Sequence, residues 1–321
     1  MWIFVTIGAY FINAGVYVAD KFLLSKKIHS SIAYAFYVSI WSIFNIFLLF
    51  LSPWMPNLRE MTLDLLAGFL FLVTLVFWYK ALHQSEASRV VPIVGALVPI
   101  FSFVFSFVFL NEELNQKQFI AFVILICGGI LISIKQTKLY SYHQISSKIK
   151  KIWGELLGNI HASYQPTSRL LINSVFSAIF FAAYYVLMKY IYSCQPFIGS
   201  FVWSRFGSFI GALFILLIPD WRYLIVSQQK GAKTSKNIFF FLTIRLLAAG
   251  AFIAINWAIS LGTVSIVNAL QGVQYLFLFL IILIISVKFP KILNERLGGG
   301  VLIQKLIGTM MICLGLYLFI S

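Results

Sequence analysis

Apolar residues in this chain run in long unbroken stretches, and the polar ones collect in the gaps between them. Crossing about 30 Å of hydrocarbon takes roughly 20 residues at 1.5 Å each. Ten stretches meet or approach that length: 2–19, 32–52, 62–82, 88–110, 117–134, 170–192, 196–218, 238–261, 263–287 and 301–320. Strands of a membrane barrel would instead alternate in segments of about 10 residues, and the runs do not. The pattern predicts an all-α integral membrane protein with ten transmembrane helices. Several gaps are very short; His83-Gln84-Ser85-Glu86-Ala87 separates runs three and four, and Gly262 separates runs eight and nine. The one long gap is 135–169. Within it Ile149, Ile152, Trp153, Leu156, Leu157 and Ile160 recur three and four apart, with Lys148, Lys150 and Lys151 between them. That spacing predicts an interfacial amphipathic helix on an anionic leaflet, with a solvated helical linker as the alternative.

The two sides of that gap resemble each other. Leu110-Asn111-Glu112-Glu113-Leu114 matches Leu293-Asn294-Glu295-Arg296-Leu297. Each is followed by Gln-Lys (Gln116-Lys117, Gln304-Lys305) and a run ending in small residues, Cys127-Gly128-Gly129 and Cys313-Leu314-Gly315. Tyr17–Lys21 aligns with Tyr185–Lys189, and Ala81–Gly95 with Ala258–Gly272. The chain therefore divides into a five-helix repeat over 1–134, a basic linker over 135–169 and a more divergent five-helix repeat over 170–321. An odd number of spans makes the second repeat enter the membrane in the opposite sense, so the repeats are inverted.

Charge supports that layout. The odd-numbered connections carry 3, 2, 6, 4 and 4 Lys and Arg, 19 of the 24, against 1, 1, 1 and 0 in the even-numbered ones. By the positive-inside rule the rich side is cytoplasmic, and both termini face outward. The net charge of +15 thus reads as membrane topology, and nucleic acid is not expected as a partner. Composition agrees: 61% of residues are apolar and 10% charged, with a mean hydropathy of +0.95, against about 45–50% and 25% in soluble domains. The stretch from Met1 has no basic n-region and reads as a retained first span. Cys127, Cys194 and Cys313 have no close-spaced partner, so neither a disulfide framework nor a thiolate metal site is expected.

Polar residues inside apolar runs usually face a bundle interior or water. Asn268, Gln271 and Gln274 stand three apart in run nine with Tyr275 beside them; they form either a solute-binding face or interhelical glue. Arg245 lies deep in run eight and Arg205 near the start of run seven, beside Trp203; either suits a substrate carboxylate or snorkels to the interface, the second being the favoured reading for Arg205. Asn13 and Tyr17 share a face of run one, and Trp78 and Asn256 stand near equivalent positions of the two repeats; these complete the candidate binding set. Asp20 and Glu86, near run ends, read as interfacial caps, with internal partners or proton carriers as the alternative, and no acidic residue is placed mid-membrane. Pro92 and Pro99 bracket Gly95 in run four, as a hinge or a static bend. Gly128, Gly129, Gly308 and Gly315 allow close helix approach within the chain or in a homodimer. The phenylalanines read as lipid-facing or packing residues.

The segment Tyr79–Ser133 carries Ala81-Leu82, Ser85-x-Ala87-Ser88, Pro92, Leu97-Val98-Pro99-Ile100-Phe101, Leu110-x-Glu112-Glu113-Leu114 and Gly128-Gly129-Ile130-Leu131. With two five-span repeats around it, this resembles the EamA-type branch of the drug/metabolite transporter superfamily. In the second repeat Pro92 and Pro99 give way to Ala269 and Leu276, and Lys288-Phe289-Pro290-Lys291 lengthens its acidic loop. The resemblance implies a ten-helix secondary transporter, with spans 1–4 and 6–9 around a central cavity and spans 5 and 10 peripheral. It also implies cytosolic termini, opposite to the charge bias. The expected function is alternating-access transport of a small polar metabolite, amino-acid-like or drug-like, across the inner or plasma membrane, in the export direction as one option. A lipid-linked substrate flippase, a scaffold and a membrane-embedded enzyme are the alternatives. For the enzyme, His29, His83, His143 and His161 all fall in connections, where none is placed to ligate a metal or act as a base in mid-membrane. No catalytic residue, metal or cofactor is expected; the bilayer and a small-molecule substrate are the expected partners.

Overall fold

The structure is a computed structural model describing residues 2–26, 30–85, 87–133, 168–229, 235–288 and 299–320. All regular elements among these residues are helical. In order they are α1 (Trp2–Lys26), α2 (Ser31–Ile40) with a 3₁₀ helix continuing it (Trp41–Phe50), α3 (Leu58–Gln84), α4 (Ala87–Leu110), α5 (Gln116–Ser133), α6 (Ser168–Cys194), α7 (Phe197–Ile215), α8 (Pro219–Gln229), α9 (Ser235–Leu261), α10 (Val264–Ala269), α11 (Gln271–Lys288) and α12 (Gly299–Ile320). Seven helical stretches are long and apolar enough to cross a bilayer: Trp2–Asp20, Ser31–Phe50, Leu58–Gln84, Ile93–Leu110, Arg169–Cys194, Phe197–Ile215 and Phe239–Leu261. Three shorter apolar helices, Gln116–Leu131, Val264–Leu278 and Ile307–Leu318, lie within the fifth, ninth and tenth predicted runs. The chain is an all-α multi-pass membrane protein.

Helix boundaries follow local chemistry. Asn57 and Glu60 bond reciprocally to each other's backbone N–H (3.0 and 2.8 Å) at the start of α3, and Asn115 and Gln118 do the same at α5 (2.8 and 3.1 Å). Between α4 and α5 the chain turns at Asn111, which takes a left-handed φ of 51°. Asparagine tolerates that conformation better than any other non-glycine type except aspartate.

Three stretches differ from the run pattern. The seventh run was predicted to continue to residue 218, but α7 ends at Ile215 and a separate helix, α8, follows. Pro219 fits its first turn, where no N–H is needed, and Asp220 complements the helix dipole there. The ninth run breaks at Leu270, between α10 and α11. The second run changes winding: its C-terminal half is 3₁₀ for ten residues, where such runs rarely exceed 3–4. Two polar side chains sustain it by bonding carbonyls three residues back, Ser42 Oγ to Ser39 O (2.5 Å) and Asn45 Nδ2 to Ser42 O (2.8 Å). By contrast α4 runs on without a break through Pro92, Gly95 and Pro99. The linker helix expected around 149–160, and Glu86, lie outside the described residues.

The bundle is assembled by pairs. α3 packs against both α6 and α7, α1 against α9 and α11, α4 against α6 and α10, and α5 against α12. Small residues set the closest approaches. A Cβ on Gly128 would lie 3.0 Å from the Gly308 carbonyl, and one on Gly315 would lie 2.8 Å from Leu125, so these glycines are engaged between α5 and α12. Between α3 and α7, a Cβ on Gly68 would overlap the Ser204 carbonyl and one on Gly207 the Leu65 backbone; Ser208 Oγ donates to the Gly68 carbonyl at 2.8 Å. These two helices touch backbone to backbone.

Candidate functional site

A cavity of about 620 Å³ lies at the centre of this packing. From α1, Asn13, Tyr17 and Asp20 turn into it, four and three residues apart and so on one face. α3 contributes Phe71, Leu75, Trp78 and Tyr79; α6 contributes Phe181 and Tyr185; α7 contributes Phe201 and Arg205. The remaining wall comes from the 3₁₀ helix (Trp41, Phe44, Asn45, Phe47, Leu48) and from α9 (Leu242, Arg245, Leu246, Ala249, Phe252). Tyr17 and Tyr185, which align in the sequence repeat, face this same space. The wall is mostly aromatic, and its polar groups are few.

Two cations stand in it, in opposite circumstances. Arg245 is paired: its guanidinium forms an ion pair with Asp20, 2% exposed, across the gap between α9 and α1, and its Nε alone is left without a partner. Tyr34 and Tyr79 hydroxyls donate to the two Asp20 oxygens (2.7 and 3.3 Å) and accept from Arg245 (3.3 and 3.4 Å). The two tyrosine rings meet edge to face, 4.6 Å between centres. A buried pair with most of its remaining valences satisfied in this way offsets much of the several kcal/mol that each ion loses on leaving water.

Arg205 has no such partner. It is 4% exposed, and its Cζ lies 4.0 Å from the centre of the Phe71 ring, 4.8 Å from Phe252, 5.3 Å from Tyr184 and 5.5 Å from Phe201. Ring faces attract a cation with about 2 kcal/mol when desolvated, short of the desolvation penalty. Nε and Nη2 donate to nothing, and no carboxylate pairs with it among the described residues. The arrangement is a cation held by π faces with hydrogen-bonding capacity left over.

Of the nine candidates from the sequence, Asn13, Tyr17, Trp78 and Arg245 line the cavity; the Tyr17 and Trp78 rings are 5.0 Å apart. The other five are placed elsewhere. Asn256 accepts from the Tyr184 and Tyr192 hydroxyls (3.1 and 3.0 Å) and donates to the Phe252 carbonyl. Asn268 donates to Ser102 Oγ at 2.7 Å, between α10 and α4. Gln271 and Tyr275 close on Gly95, where a Cβ would overlap the Tyr275 hydroxyl, and Gln274 is fully buried with neither amide atom hydrogen-bonded. Thus Gly95 of the expected hinge serves here as a seat for Tyr275.

Other expectations change with burial. Arg205 does not snorkel to the interface; α7 is flanked by helices on its Ser200, Ser204, Ser208 and Gly211 positions, which buries the residue. Asp20 caps nothing and is an interior ion. Asp64, 0% exposed within α3, is a second interior carboxylate, with the Gln195 amide turned to donate to both its oxygens (3.2 and 3.1 Å). Asp20 and Asp64 are thus both buried inside the bundle, Asp20 at the end of the first membrane-spanning stretch. The sequence signal for Arg205 was the run of small residues around it, which marks a helix packed closely rather than one ending at lipid.

Helices α1 to α5, which supply Asn13, Asp20, the aromatic strip of the 3₁₀ helix and Trp78, have a recognisable origin. Residues 1–134 match the EamA-like transporter family. That family falls in the drug/metabolite transporter superfamily, and it is a family of membrane transporters. The EamA-like segment ends with α5, so the second half of the cavity, Arg205 and Arg245 included, lies beyond it. A solved structure described as "Crystal structure of protein" covers both halves: it matches 99% of this chain and 94% of its own, with a TM-score of 0.64 at 12% identity. At that identity the likeness shows the fold. No curated protein matches the chain.

Proposed function

We propose that the protein is a secondary transporter that carries an organic anion across its membrane by alternating access. The observation that carries this reading is Arg205: a buried cation on the cavity wall, with two buried N–H donors left unbonded and no carboxylate partner among the described residues. A planar guanidinium offers a carboxylate or phosphate two parallel hydrogen bonds. The Phe71, Trp78, Phe181 and Phe252 rings suit an apolar or flat body attached to that acid group, so the small polar metabolite expected from sequence becomes an acid with an apolar body. The inverted repeats supply the means of exposing the cavity to either side, one repeat rocking against the other. The Asp20–Arg245 pair, joining α1 of the first repeat to α9 of the second, is the contact that such rocking must break and remake.

Thermal unfolding of the purified protein against carboxylates, phosphates, neutral amides and amines tests the reading. At 100 times its Kd a true ligand stabilises by about 2.7 kcal/mol. Stabilisation by acids, lost in Arg205→Gln, is the expected result. Stabilisation by amines alone would overturn it.

A further inference from the structure

The cavity is open on one side. Its wall is continuous along α3 and α7, where the glycine contacts bring backbones together. Between the 3₁₀ helix and α9 it is not. Phe44, Phe47 and Leu246 line the cavity and are also 53%, 59% and 75% exposed on the outside of the bundle. Both jambs belong to stretches long and apolar enough to span the bilayer, Ser31–Phe50 and Phe239–Leu261, so the mouth is at the depth of acyl chains.

One jamb has an unusual surface. Side chains three apart eclipse on a 3₁₀ helix, and here all four are aromatic. Trp41, Phe44, Phe47 and Phe50 stack in a column with centres 5.0, 6.2 and 6.3 Å apart and planes within 25° of one another. The column makes a flat apolar strip along the helix, lining the cavity at Trp41, Phe44 and Phe47 and ending at Phe50, 82% exposed. At the cavity end lies Arg205, whose backbone carbonyl accepts from Ser42 Oγ of the same 3₁₀ helix at 2.8 Å. An acid that is soluble in water gains nothing from a mouth that opens on hydrocarbon. A molecule with an acid head and a hydrocarbon chain fits both ends.

Resting on the transport reading above, we infer that the substrate is an anionic amphiphile drawn from the bilayer. Its head takes the free donors of Arg205, and its chain leaves between the 3₁₀ helix and α9 along the aromatic column. This commits the mouth to a membrane-borne substrate and not to a dissolved one.

Tryptophan quenching by 11,12-dibromostearate tests this on the full chain in nanodiscs. Bromine quenches on contact, and Trp41 stands in the column. The expected result is quenching that falls in Trp41→Phe and is displaced by dodecanoate at a concentration at least tenfold below that needed with butyrate, since each methylene buried from water is worth about fourfold. Dodecylamine should not displace it, and Arg205→Gln should abolish the preference for acid over amine. Phe44→Ala with Phe47→Ala should narrow the gap between dodecanoate and butyrate. Equal displacement by butyrate and dodecanoate would overturn the lateral chain while leaving an anion transporter standing. Equal displacement by dodecanoate and dodecylamine would reduce the effect to annular lipid and overturn it too. Failure of acids of every length to displace the probe or stabilise the protein would overturn both readings.

Discussion

Two seams flank the cavity, and they are built from opposite materials. The seam between α3 and α7 is closed by Gly68, Gly207 and Gly211, each of which leaves no room for a Cβ beside its neighbour. The seam between the 3₁₀ helix and α9 is lined by Trp41, Phe44, Phe47, Leu246 and Ala249 and stays open. The repeat expected from the sequence would make these counterparts. The register that pairs Ala81 with Ala258, carried back along the helix, sets Gly68 against Arg245; the register of Tyr17 and Tyr185 sets Asp20 against Met188. The ion pair joins α1 to α9, beside the open seam and not across it. A hydrocarbon environment does not drive apolar helices together, so close packing and polar contacts decide which seams shut. Backbone contact shuts one, and bulky rings leave the other parted.

That contrast gives three ways to disturb it. The ion pair carries the largest effect. Asp20→Asn leaves Arg245 buried without a countercharge and should cost about 3–5 kcal/mol, read as a fall in unfolding temperature; Asp20→Leu combined with Arg245→Met should recover much of it. A loss no larger than about 1 kcal/mol in Asp20→Asn would mean the pair is not held dry. Next comes the packing itself. Gly68→Val forces α3 off the Ser204 carbonyl and should cost about 1–3 kcal/mol or more, whereas Phe47→Ala on the open seam should stay within about 0.5–1 kcal/mol. Equal costs would erase the distinction between the seams.

The smallest effect lies outside the membrane, in the loop beside α10. Glu112 is half buried there, and burial raises its pKa above the usual 4.5, while Lys189, the Val264 N–H and Ser106 draw it back in part. A carboxyl that titrates higher in the folded protein than in the unfolded chain stabilises most below pH 4.5, and that contribution is lost as pH rises through the raised value. Unfolding temperature should therefore decline over the pH window just above 4.5, and Glu112→Gln should flatten that decline. An unchanged slope in the variant would assign the decline to another group.

The apolar runs were legible because hydrocarbon imposes one requirement, about 20 apolar residues per crossing; among the described residues seven helical stretches meet it and three are shorter. Arg245, Asn13, Tyr17 and Trp78 were legible because a polar or amphipathic side chain deep in such a run has few places to point. Direction around the helix was not. Asn268, Gln271 and Gln274 show a polar face by their spacing, and only packing against α4 and Gly95 turns that face away from the cavity. Asp20 and Arg245 are 225 residues apart, and nothing local in either run announces the other. The aromatic column did leave a trace that hydropathy hides: Trp41, Phe44, Phe47 and Phe50 recur at intervals of three, the period of a 3₁₀ helix and not of an α-helix.

The ten residues of that column also hold length in reserve. At about 2.0 Å per residue they reach roughly 5 Å further than the same residues would at the 1.5 Å of an α-turn. Rewinding them from three residues per turn to 3.6 would draw Phe50 inward by about one helical turn and swing each rung roughly 60° from the last, scattering the column around the axis. The strip that connects Arg205 to the bilayer is thus a property of winding, present in one pitch and absent in the other.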